Sequence, residues 1–164
     1  MNEKSLKAEV EALKLDGTML VGDLKVSCKQ IPNEPGIYVV LGNYNEVPEF
    51  LEKGSGPEYH SNKPMNYSIK KLEDKWVDHT LIVYIGKSDN SLKHRIETYI
   101  RFGNGEDVAH RGGRAIWQLP DSDNLVIGWK KISGNCNAAK AEKELLKEFK
   151  QNHNKKLPFA NWRE

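Results

Sequence analysis

The segment LIVYIGKSDNSLKHRIETYI, residues 81–100, sets a phenol and an amine at the end of a β-branched run. A guanidinium and a second phenol follow beyond a glycine break. Tyr84, Lys87, Arg95 and Tyr99 are residue types that hold anions, Arg and Lys by charge and Tyr through its hydroxyl. With Leu92 at zero on a helix, Arg95 falls at about 300°, Tyr99 at about 340° and Ile96 at about 40°. Arg95 and Tyr99 are therefore an i, i+4 pair on the border of the apolar face. His94, at about 200°, points to water. Either the pair packs and snorkels at a core edge, or it converges with its neighbours on something anionic.

A later run, NAAKAEKELLKEFKQNH, carries the complementary charge. With Ala138 at zero, Leu145, Phe149 and Leu146 fall at about 340°, 20° and 80°, and Glu142 at about 40°, in their midst. Glu144 and Glu148 lie off that arc. A buried carboxylate costs several kcal/mol, roughly, unless it is paired, protonated or metal-bound. Glu142 therefore needs a partner, and an ion pair with Arg95 is one solution. Two short motifs, GIY at 36–38 and YIG at 84–86, each place a tyrosine on a strand end or edge. His110, Arg111 and Arg114 sit in a glycine-rich stretch. They read equally as donors to a nucleic-acid backbone or as a basic surface turn.

The elements that must position these residues follow from periodicity and turn signals. Residues 3–14 form a short amphipathic helix, and DGTMLVGDLK a hairpin or loop. A strand runs over 37–41. Residues 42–80 are irregular, with a short strand near 49–53 and a second short segment near 69–76. A strand at 81–85 leads to a helix at 92–102, with Gly103 near its C-cap. A loop and one short helix end before Pro120. A strand covers 125–132, and Asn135 or Asn137 caps the last helix. The tail beyond Pro158 is extended. This pattern gives an α/β domain, a small, mainly antiparallel sheet with helices packed on it.

Composition sets the outer limits. A chain of 164 residues with 38% apolar and 29% charged content suits one domain with a real core. No apolar run approaches the roughly 20 residues that span a bilayer. The start, MNEKSLKAEVEALK, lacks the apolar centre of a signal peptide. No membrane association and a cytoplasmic location are expected. Cys28 and Cys136 are isolated, as reduced thiols are. A net charge of +2 permits nucleic acid as a partner without requiring it. There is no phosphate-binding GxxxxGK[ST] loop, so no nucleotide cofactor is expected.

The ordered set of GIY (36–38), YIG (84–86), Arg95, Glu142 and a late asparagine in PFAN, Asn161, resembles the GIY-YIG nuclease superfamily. The YIG–helix segment is most similar to the branch found in bacterial excision repair. There too a lysine follows YIG, and a tyrosine lies four residues after the arginine. The resemblance implies a three-stranded, mainly antiparallel sheet flanked by helices. It spans residues 36–164, after an amino-terminal helix and hairpin extension, 1–35. Tyr38 and Tyr84 are 46 positions apart, so 42–80 reads as an insertion between the first two core strands.

The implied activity is hydrolysis of DNA phosphodiester bonds with one Mg²⁺ or Mn²⁺ ion. Glu142 binds the metal and Arg95 holds the phosphate. Tyr38 orients or deprotonates the attacking water, helped by a nearby cation such as Lys87. Tyr84 and Tyr99 place water or phosphate, and Asn161 has a supporting role or caps a turn. Specificity would come from the insertion, the extension, a homodimer or a protein partner. The competing expectation is a non-catalytic nucleic-acid-binding or protein-interaction domain that retains the fold.

Overall fold

The computed structural model describes residues 3–110 and 112–163. It is an α/β protein built on a small antiparallel sheet flanked by helices. The chain begins with helix α1 (Glu3–Leu13), strand β1 (Gly17–Leu20), a single helical turn α2 (Val21–Leu24) and strand β2 (Gly36–Leu41). A two-stranded hairpin, β3 (Tyr59–His60) with β4 (Lys63–Pro64), and helix α3 (Ile69–Lys75) follow. Strand β5 (Ile82–Ser88), helix α4 (Leu92–Gly103), two 3-10 turns (Arg114–Gln118 and Ser122–Asn124), strand β6 (Val126–Lys131) and helix α5 (Ala138–Asn152) complete it.

The sheet order is β1-β6-β2-β5, with every pairing antiparallel. It has four strands, not the expected three. GTML, read as part of a hairpin or loop, is the fourth, paired to the outer side of β6. Four residues are too few for a period of two to declare itself. The amino-terminal extension is thus woven into the sheet.

Strand β2 is central and all six of its residues are buried. That is why GIYVVL reads as a continuous apolar run and does not alternate. One face of the sheet, carrying Tyr38, Val40, Tyr84 and Trp129, packs under α4 and the first 3-10 turn within the larger core. The opposite face, carrying Val39, Leu41, Ile85 and Val126, receives Leu146 and Phe149 of α5 and Leu6 and Leu13 of α1.

Local chemistry fixes the helix starts. Ser91 accepts from the His94 amide at 3.1 Å, and Asn137 from the Lys140 amide at 2.8 Å. Of the two candidate caps, Asn137 is therefore the one used. The 42–80 segment differs from expectation. Residues 49–53 form no strand; instead the Leu51 amide and carbonyl bond to Gln118. Residues 69–75 are helical, started by Ser68. Gln118, 2% exposed, also bonds both Tyr67 backbone groups and so ties the insertion to the body. Among the described residues no helix is long and apolar enough to cross a membrane.

Candidate active site

The GIY and YIG motifs are brought side by side by the β2–β5 pairing. In register Tyr38 stands opposite Gly86, and Val40 opposite Tyr84. Tyr38 and Tyr84 are diagonal neighbours on one face, with ring centroids 5.9 Å apart. Both motif glycines have a steric reason. A Cβ on Gly86 would lie 2.5 Å from Cζ of Tyr38, and one on Gly36 would lie 2.1 Å from the Lys130 carbonyl oxygen. Tyr99 rises from α4 to close the cluster, 6.0 Å from Tyr38 and 5.6 Å from Tyr84 by centroid. Its hydroxyl donates to the Gly113 carbonyl at 2.6 Å.

The three phenols are shut away: Tyr38 and Tyr99 are fully buried and Tyr84 is 7% exposed. Burial pushes all three above the ordinary tyrosine range, while the Arg95 guanidinium pulls the other way on each. The Tyr38 and Tyr84 hydroxyls also act on one another.

Arg95 is half-buried on α4, as its border position on the helical wheel requires, and His94 faces water. Glu142 is half-buried on α5, while Glu144 and Glu148 are exposed. The ion pair between Glu142 and Arg95 considered above does not form, and neither side chain has an ion-pair partner among the described residues. They nevertheless feel each other. Burial raises the Glu142 carboxyl above its usual range, and Lys87 and then Arg95 draw it back, while Asp89 raises it further.

Lys87 departs from expectation. Side chains alternate along a strand, so Lys87 points to the face opposite Tyr84 and Gly86. Its ammonium meets Asp89 at 2.5 Å and acts on Glu142. The cation acting on Tyr38 is Arg95. Asp89, with no signature of its own in the sequence, enters this charged group through its adjacency to Lys87.

Asn161 clamps a strand. Its Oδ1 accepts from the Ile85 amide at 2.9 Å, and its Nδ2 donates to the Ile85 carbonyl at 2.8 Å. β5 is an edge strand, so these bonds satisfy groups that no strand reaches. Asn161→Ala is expected to cost about 2–4 kcal/mol, because it orphans a buried donor and a buried acceptor. A chemical denaturation midpoint equal to wild type would contradict this.

The basic stretch divides three ways. Arg111 lies outside the described residues. Arg114 stacks over Tyr67, 4.4 Å from its centroid, and donates to the Met65 carbonyl at 2.9 Å. Tyr67 in turn stacks on Trp162, 3.6 Å away. Arg114 thus joins the insertion to the tail.

His110 is not a solvent-facing donor. It is 1% exposed, its Nε2 lies 3.3 Å from the Tyr38 hydroxyl, and its ring stacks on Tyr99 at 4.4 Å. Burial, then the charge of Arg95, lowers its pKa to about 3. In the unfolded chain the usual value is about 6.5, so between the two the unfolded state binds more protons. Stability attached to neutral His110 is complete above about 6.5 and lost as the pH falls toward 3. Each pH unit crossed in that window removes up to about 1.4 kcal/mol. His110→Gln is expected to flatten the acid limb of a stability–pH curve; an unchanged limb would count against this.

A cavity of about 1430 Å³ lies elsewhere, between α1 and α5, lined by residues such as Glu9, Leu145 and His153. None of the tyrosines of the cluster, nor Arg95 or Glu142, lines it. The comparisons with protein families, with curated proteins and with solved structures gave no match.

Proposed function

We propose that the chain is a metal-dependent endonuclease of the GIY-YIG type that hydrolyses phosphodiester bonds in DNA. One observation carries the reading: Arg95 and Glu142, both half-buried, act on one another and on the two tyrosines placed by GIY and YIG, yet neither closes an ion pair among the described residues. A half-buried guanidinium and carboxylate left open in this way suit a ligand bearing both an anion and a cation, as a metal–phosphate does. The antiparallel β2–β5 pair, with α4 and α5 on opposite faces, agrees with the family's sheet and helices; β1 is then an addition to it.

Glu142 fits a hard cation: it is an oxygen donor with no competing partner among the described residues. Mg²⁺ or Mn²⁺ there, its other positions filled by water, would supply Lewis-acid stabilisation of the phosphate and leaving oxygen. Arg95 presents its planar fork to the phosphate oxygens and offsets charge that builds in the transition state. Tyr38 and Tyr84, pushed up by burial, stay neutral phenols. They serve by hydrogen bonding in orienting the attacking water, Tyr84 through its small exposed part and the fully buried Tyr38 behind it. Lys87, on the Glu142 side, tempers the carboxylate's charge.

The test is cleavage of supercoiled plasmid and of branched DNA with Mg²⁺ or Mn²⁺. Nicking that chelator abolishes, and that drops about 100-fold or more in Arg95→Ala, is expected. Salt-sensitive DNA binding by the wild type with no hydrolysis in any metal would replace this reading with that of a non-catalytic nucleic-acid-binding domain.

A further inference from the structure

His110, Gly112 and Gly113 lie directly on the tyrosine cluster. A Cβ on Gly112 would sit 3.0 Å from the Tyr84 hydroxyl and 3.9 Å from Nη2 of Arg95. A Cβ on Gly113, at φ +69°, would sit 2.7 Å from the Tyr99 hydroxyl. Only glycines allow the backbone this close. The approach lowers one functional side chain, His110, whose ring is enclosed against Tyr99 with Nε2 toward the Tyr38 hydroxyl.

A buried imidazole beside a guanidinium has no room for a second proton, which leaves two neutral tautomers. In one, Nε2–H would donate to Tyr38 and Nδ1 would turn a lone pair toward the backbone. In the other, Nδ1 carries the proton and Nε2 accepts. The carbonyls of His110 and Gly112 act on the ring as acceptors. At Nδ1 neither meets hydrogen-bond geometry, and the atom is buried without a partner among the described residues. Carbonyl oxygens attract an N–H, and the fully buried Tyr38 hydroxyl has Nε2, at 3.3 Å, as the acceptor for its proton, so the second tautomer is the one that serves both ends of the ring.

We propose that His110 sets the direction of the hydroxyl chain at this site. Its Nε2 accepts the hydrogen bond of the Tyr38 hydroxyl, Tyr38 turns its oxygen toward the Tyr84 hydroxyl, and the Tyr84 oxygen offers its lone pairs to the reaction site. A water held there is gripped by one of its own protons, with its oxygen free to attack. Donor and acceptor polarise one another along such a chain, so reversing one end reverses the other. No proton changes owner, and His110 is a positioning residue acting through Tyr38. The effect on rate rests on the nuclease reading; the direction of the hydrogen bonds does not.

The decisive measurement is the ring ¹⁵N spectrum of the full chain labelled at histidine, with His110 assigned by its absence in His110→Gln. A neutral ring protonated at Nδ1 at pH 7 is expected. Protonation at Nε2, or an imidazolium, overturns the proposal whether or not DNA is cut. The kinetic measurement uses two variants. His110→Gln keeps an acceptor oxygen near the place of Nε2 and is expected to hold kcat within about threefold, whereas His110→Leu is expected to lose about 100-fold in kcat with KM unchanged. A loss confined to KM, or equal losses in both variants, overturns the proposed role. If the leucine variant does not fold, the tautomer and the glutamine variant still decide it. A wild type that cuts no DNA fells the nuclease reading alone.

Discussion

Glu142→Gln is expected to lower metal-dependent DNA cleavage by about a thousandfold while leaving the protein folded. The loss corresponds to about 4 kcal/mol of transition-state stabilisation, what a single Lewis-acid cation supplies. The fold should survive because the carboxylate is held in no ion pair among the described residues. The sign of the stability change discriminates further. Burial raises the Glu142 carboxyl, so its ionised form is disfavoured in the folded state. Removing that charge is expected to leave neutral-pH stability equal or slightly higher, an advantage that disappears in acid, where the carboxyl protonates. Nicking rates, thermal melts and Mn²⁺ binding followed by water-proton relaxation check the three parts. Undiminished cleavage together with a lower melting temperature would recast Glu142 as scaffold.

Gly86→Ala is expected to damage stability and cleavage together. The new methyl would lie 2.5 Å from Cζ, 2.7 Å from Oη and 2.8 Å from Cε1 of Tyr38. Tyr38 has nowhere to go. Tyr84, Tyr99 and His110 enclose its other sides, and none of its surface is exposed. Overpacking of this kind costs about 1–3 kcal/mol. A hydroxyl displaced by about 1 Å can cost about 100-fold in rate. The double variant Gly86→Ala, Tyr38→Phe separates the two, since removing the hydroxyl relieves part of the clash without restoring cleavage. A single variant that melts and cuts like wild type would mean that the β2–β5 register differs from the one described.

Features that depend on one element's own period were legible in the sequence. The helical wheel put His94 in water, Arg95 on a border and Glu142 within the apolar arc, apart from Glu144 and Glu148; the structure agrees for His94, Arg95 and the two outer glutamates, and leaves Glu142 half-buried without the ion-pair partner expected of it among the described residues. The β-branched runs marked β2, β5 and β6 to within a few residues. What failed depends on partners distant in the chain. Nothing near Asn161 says that Ile85 will be its partner, 76 positions away. His110 looked like a surface donor because HRGGR is polar and glycine-rich; those glycines instead bring the backbone down onto two aromatic rings, Tyr84 and Tyr99. Lys87 is the one avoidable error, because alternation along β5 already separates it from Tyr84.

The clamp on β5 also bears on how copies of this protein behave toward each other. Ile82–Ile85 is a short, apolar, β-favouring run at the border of a sheet, the geometry by which strands recruit strands from other molecules. Three of its outward groups are already taken, the Val83 carbonyl by the Ala160 amide and the Ile85 pair by Asn161. Residues 160 and 161 therefore work as a solubility device as much as a structural one. Loss of Asn161 should show itself as concentration-dependent aggregation at temperatures where the monomer is still folded.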